Sequence, residues 1–162
     1  GSEMCIRDSF ENSLAAVPIL TSYIPMLSGT GGNSGTQAST AVIRALSLGE
    51  VRFSDLLRVV WKECRVALIC GVCLAAANFV KMMVVDCWLL ANPTVTPAVA
   101  AVVCCTLVGT VACAKLVGAS LPILAEKIGF DPAVMASPFI STIVDALSLL
   151  IYFRFATWIL GV

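Results

Sequence analysis

Four apolar runs, at about 12–48, 56–85, 94–124 and 132–160, decide what this chain is able to fold into. Each supplies the roughly 20 apolar residues that cross a hydrocarbon core, with some to spare for tilt. Lipid offers no hydrogen bonds, so a spanning backbone must pair its N–H and C=O groups within a helix or around a closed barrel. The short in–out alternation of barrel strands is absent from these runs. The expected fold is an all-α integral membrane protein, a polytopic helical bundle. Composition agrees, with 59% hydrophobic and 12% charged residues and a mean hydropathy of +0.98. Soluble domains are about half apolar and roughly a quarter charged.

The same composition excludes several function classes. Net charge is zero and the basic residues form no stripe interleaved with aromatics, so nucleic acid is not an expected partner. There is no histidine, which removes the commonest zinc ligand and general base and argues against an enzyme. The eight cysteines lie mostly inside apolar runs, where Cys behaves as a small hydrophobe. Cys70 and Cys73 spell C-x-x-C, but on an expected membrane helix and without a second pair. Residues 1–9 read as foreign to the rest: Gly1-Ser2 resembles a cloning scar and the remainder is polar without pattern, so the fold is sought in 10–162.

Most of the charge lies in or near the connectors. Arg44, Glu50, Arg52, Asp55, Arg58, Lys62, Glu63 and Arg65 surround the first, Asp86 and Asn92-Pro93 mark the second, and Glu126, Lys127 and Asp131 occupy the third. Positive charge gathers on the cytoplasmic side, so the first and third connectors are expected inside and the second outside. Both ends of the chain then fall outside, which leads us to expect a further crossing upstream. Pro132 is expected in the first turn of the last helix. Lys81 and Asp86 are expected near the outer end of the second span, within snorkelling reach of the interface.

Asp145 stands near the middle of the last run, with apolar residues on both sides. A carboxylate at that depth costs about 2.5–3.5 kcal/mol on insertion scales, and its stem is too short to snorkel. It must meet a cation, water or a basic partner, and Lys115 and Arg154 are the structural candidates. Ser141 is four residues earlier and Ser137 four before that, so the three share one helix face. Pro138 is expected to free a backbone carbonyl beside them. In the first run, the segment from Ser28 to Thr40 is rich in glycine, hydroxyls and amides. Gly31 and Gly35 have the small-x-x-x-small spacing of helix packing. Packing does not require Asn33 or Gln37, however. With Ser34, Thr36, Ser39 and Thr40 they make a hydrophilic wall, and glycine carbonyls beside it add acceptors. Oxygen-rich surfaces suit hard cations such as magnesium.

These residues resemble a known family. Gly31-Gly32-Asn33-Ser34-Gly35-Thr36-Gln37-Ala38-Ser39-Thr40, followed by Arg44-Ala45-Leu46-Ser47-Leu48-Gly49-Glu50-Val51, resembles the second transmembrane helix of MgtE magnesium channels. Asp131-Pro132-Ala133, Ser137-Pro138 and Ser141-Thr142-Ile143-Val144-Asp145 resemble their last helix. The resemblance implies a multi-pass protein of the cell (inner or plasma) membrane with five helices, four of them visible here, working as a homodimer in the lipid bilayer. It implies that Asp145 binds Mg2+, the transported ion, other divalent cations being possible. It places Gly29, Gly32, Thr36, Ser137 and Ser141 along the pore, beside the Asn33 wall. Relatives often carry asparagine where this chain has Ser137. The family's first helix and its cytoplasmic N and CBS domains are not visible. Two other classes compete on the residues alone: a proton- or sodium-coupled transporter of a small solute, and a non-conducting assembly domain with Asp145 paired to a base.

Overall fold

The computed structural model describes residues 2–9, 18–91, 93–134 and 137–161. A short helix α1 (Ser2–Ser9) precedes four long ones: α2 (Ile19–Ser47), α3 (Leu56–Lys81), α4 (Pro97–Lys127) and α5 (Ser137–Leu160). A 3-10 turn at Phe53–Asp55 leads into α3, which runs on as a π-helix over Met82–Leu89. In α1, Ile6 lies against the main apolar cluster.

Among the described residues, three stretches are both long and apolar enough to cross a membrane: Phe53–Leu89, Pro97–Lys127 and Pro138–Leu160. The first expected span supplies a helix of 29 residues, Ile19–Ser47, about 43 Å long at 1.5 Å per residue. Its length suffices for a crossing, but the polar segment from Ser28 to Thr40 dilutes its hydropathy. The segment does not break the helix either. The expected exposed glycine carbonyls are therefore carbonyls of a continuous helical ladder.

Helix α4 is the hub. It packs against α2, α3 and α5, while α2 also packs against α5. Half of its most apolar window is buried, against 11% for α3, so α3 presents most of its surface outward. Close approach is bought with glycine. A Cβ on Gly118 would collide with the Gly35 backbone, and one on Gly71 would stand 3.2 Å from the Val108 Cα. Gly31 and Gly35 likewise face Thr110, Val144 and Ile140 at less than contact distance, which makes these two glycines packing residues.

The inner ends of α2 and α4 close alike. Gly49 and Gly129 take the left-handed conformation (φ +70° and +82°). Beyond them the N–H groups of Glu50 and Phe130 donate to the carbonyls of Ala45 and Ala125 at 3.0 and 2.9 Å, the pattern of a Schellman cap. Lys127 lies 3.7 Å over the Phe53 ring, so the first and third connectors meet at one end of the bundle, as expected of two connectors on the same side. At the other end Thr96 caps α4 by accepting from the Val99 N–H, with Pro97 next to it in the first turn.

Two expectations about the last span are corrected. Pro132 lies in a turn, where the Val134 N–H donates to the Asp131 carbonyl at 3.1 Å, and not in the helix. Helix α5 begins at Ser137, so Pro138 occupies its first turn. The N–H that proline lacks has no helical partner there in any case, and no carbonyl is freed within the span.

A polar groove between two helices

Helix α2 carries two opposed stripes. Leu20, Tyr23, Ile24, Leu27, Gly31, Gly35, Ala38, Val42 and Leu46 are buried toward α4 and α5. The other stripe runs through Ser28, Gly32, Thr36, Thr40 and Arg44 at an unbroken spacing of four, flanked by Gly29, Asn33, Gln37 and Ala41. It lines a groove of about 790 Å³, and from α5 the groove receives Ser141 and Asp145.

Six of the seven residues expected at the site thus come together: Gly29, Gly32, Asn33, Thr36, Ser141 and Asp145. The side chain of Ser137 lies outside the described residues. Gly29 and Gly32 differ from the packing glycines in what surrounds them. A Cβ on Gly29 would meet nothing within 4 Å, and one on Gly32 would stand 3.9 Å from the Ser141 Oγ. Glycine here widens the groove where α2 and α5 approach.

Two members of the expected hydrophilic wall lie elsewhere. Ser39 is fully buried on the packing face, and Ser34 faces a separate cleft. Gln37 and Thr40, expected in the wall, do line the groove, and Ser28 and Arg44 join them although the site reading passed over those two. The repeat of four from Ser28 to Arg44 was the signal that would have found them.

The hydroxyls are oriented. Thr36 Oγ1 donates to the Gly32 carbonyl at 2.8 Å, and Thr40 Oγ1 donates to the Thr36 carbonyl at 2.9 Å. With their hydrogens committed to the helix, these oxygens offer lone pairs. The amide oxygens of Asn33 and Gln37 add acceptors, and the Asp145 carboxylate adds charge. The surface is therefore rich in acceptors, which suits the outward-pointing hydrogens of water bound to a cation.

Asp145 is half-buried, eight residues into α5, or about 12 Å from the inner end of the helix. It is closer to that end than the sequence suggested, because the helix begins later. Of the two bases considered for it, Lys115 is engaged elsewhere. Its Nζ donates to Glu63 Oε2 at 3.3 Å, and both side chains are mostly buried (10% and 15% exposed). Arg154 follows Asp145 by nine residues on the same helix, which places it about 180° around the axis. Lys81 pairs with Asp86 at 2.8 Å at the outer end, where the Tyr23 hydroxyl donates to the same carboxylate at 3.1 Å.

Comparison with known proteins finds relatives of this chain. The sequence model of the MgtE family, described as divalent cation transporter, matches residues 24–155. The magnesium transporter MgtE of Thermus thermophilus is 38% identical over 155 residues, covering 96% of this chain and 32% of that protein. Those of Bacillus subtilis and Enterococcus faecalis are 36% and 33% identical, covering 91% and 96% of this chain and 31% and 33% of theirs. The chain thus spans about a third of the length of the curated relatives it matches.

Proposed function

The chain belongs to the MgtE family of divalent cation transporters, and from that premise we propose that its groove is one wall of a conduit for hydrated Mg2+. The conduit is completed by a second copy of the chain facing it across a two-fold axis. The observation that carries this reading is the convergence of Ser141 and Asp145 with the Gly29, Gly32, Asn33 and Thr36 stripe around a single open groove. Such a stripe is costly against lipid and costs little against water.

Magnesium gives up its water reluctantly and is held by one or two carboxylates with several waters kept. Among the described residues no cluster of three or more His, Cys, Asp or Glu side chains forms a cage for a bare ion. One Asp145 from each copy would supply two carboxylates to a hydrated ion. The Thr36, Asn33 and Gln37 oxygens would accept hydrogen bonds from its water. Gly29 and Gly32 leave room for that shell. Selectivity then arises from charge and from fit to the hydrated ion, as in other pores with acidic rings. The chain acts as a passage and not as a catalyst.

The test is Mg2+ entry into proteoliposomes holding the chain or its Asp145→Ala variant. A charge-assisted hydrogen bond contributes about 1.5–3 kcal/mol, so Asp145→Ala is expected to lower entry by about tenfold or more. Asp145→Glu, which keeps the charge, retains a larger share. Entry unchanged in Asp145→Ala would remove the groove from the pathway.

A further inference from the structure

Helix α3 carries a chemistry that the proposed conduit does not use. Cys70 and Cys73 are three apart on a regular helix, so their Cβ atoms are about 5–6 Å apart on one side. Gly71 between them turns the other way, onto Val108. Both thiols are exposed and in no disulfide. They form one wall of a second cleft, of about 410 Å³, whose opposite lining includes Asn33, Gln37 and Lys115. Amides are costly in hydrocarbon, so this chamber suits water better than lipid. Asn33 and Gln37 line both it and the polar groove. One pair of amide side chains therefore separates a thiol-bearing chamber from the oxygen-lined surface.

The two clefts differ in softness. Oxygen donors suit magnesium, whereas thiolates select soft ions. Among the described residues no third His, Cys, Asp or Glu completes a set with the pair, so the pair offers two-ligand chemistry. Two collinear metal–thiolate bonds of about 2.3 Å span about 4.6 Å, within reach of thiols one helical turn apart.

We infer that Cys70 and Cys73 form a dithiol site for a thiophilic centre that takes two thiolates, such as Hg2+, Cu+ or a trivalent organoarsenical, and that its occupation obstructs the conduit through Asn33 and Gln37. With an organoarsenic oxide R–As=O, both S–H bonds break and two As–S bonds form. The two protons leave with the oxide oxygen as one water, and arsenic remains trivalent, so no oxidant or reductant is needed. The obstruction rests on reading the groove as the ion pathway; the binding does not.

The probe is phenylarsine oxide added to the purified full chain, read by intact mass. The expected result is an adduct of the reagent less one water, bridging Cys70 and Cys73 in the peptide map and lost in Cys70→Ser and in Cys73→Ser. Absence of that bridge, or its survival in both variants, overturns the site. On the unsubstituted chain, prior treatment with the reagent is expected to protect both thiols from maleimide labelling, and continued labelling of both overturns the site without relying on a variant. In proteoliposomes the reagent is expected to abolish most Mg2+ entry by the unsubstituted chain and to spare Cys73→Ser. A bridged adduct with undiminished entry overturns the obstruction. An untreated chain that passes no Mg2+ also overturns the obstruction, by removing the conduit it rests on, while the mass and labelling results still decide the site.

Discussion

An added methyl group at Gly32 would find the Ser141 hydroxyl 3.9 Å away, whereas at Gly118 it would enter the Gly35 backbone. The consequences for substitution are opposite. Gly32→Ala gains helix propensity, up to about 1 kcal/mol, and intrudes only on the groove. It is expected to leave thermal unfolding in detergent unchanged or slightly raised while lowering Mg2+ entry. Gly118→Ala meets backbone that cannot rotate aside. Overpacking of about 1–3 kcal/mol is expected to exceed the propensity gain and to lower the unfolding temperature. A destabilised Gly32→Ala or an unaffected Gly118→Ala would contradict this division between groove glycines and packing glycines. The division was only half legible in the sequence. The spacing of Gly31 and Gly35 announced packing, but which glycines faced open space depended on where α4 and α5 lay.

At the scale of elements, the joint between α3 and α4 depends on a mostly buried ion pair. Lys115 and Glu63 lie 52 positions apart in sequence and meet at 3.3 Å, mostly buried. Removing one partner of such a pair leaves a charge without compensation, at a cost of about 3–5 kcal/mol. Replacing both with apolar residues of similar volume is often neutral. Lys115→Met alone is therefore expected to destabilise the protein strongly, and the double variant Lys115→Met with Glu63→Leu to recover most of the loss in a thermal unfolding series. No recovery would mean that each group acts independently. The sequence offered Lys115 as a candidate base for Asp145, whereas its partner is Glu63. Helix phase decides it, since α3 turns Glu63 toward α4 whereas Asp145 projects into the groove between α2 and α5. The outer end of α3 is held differently. Asp86, buried in the π-helical segment, receives both Lys81 and the Tyr23 hydroxyl, and so joins that segment to the groove-lining helix.

Across the whole molecule, the three tryptophans are expected to mark the membrane boundaries. Trp61, Trp88 and Trp158 are 66%, 80% and 79% exposed. Trp61 and Trp88 stand 27 residues apart along α3 and its extension, about 40 Å, which matches a bilayer of about 40–45 Å with its headgroup regions. Tryptophan favours these interfaces. Intrinsic fluorescence in liposomes is thus expected to be quenched more by lipids brominated near the headgroup than by lipids brominated near the chain end. Stronger quenching from the chain end would contradict the placement.

That the chain folds into long helices and that α2 carries a polar stripe followed from the sequence alone, because lipid leaves a backbone few options and period 3.6 sorts residues onto faces without reference to neighbours. The tertiary structure alone decided that Ser39 leaves the wall for the packing face, that Lys115 belongs to Glu63, and that Asp145 joins the stripe of α2 across a shared groove. Each of these depends on the distance and rotation between two helices. Those are set by steric fit at Gly35, Gly118 and their neighbours, and no single helix encodes them.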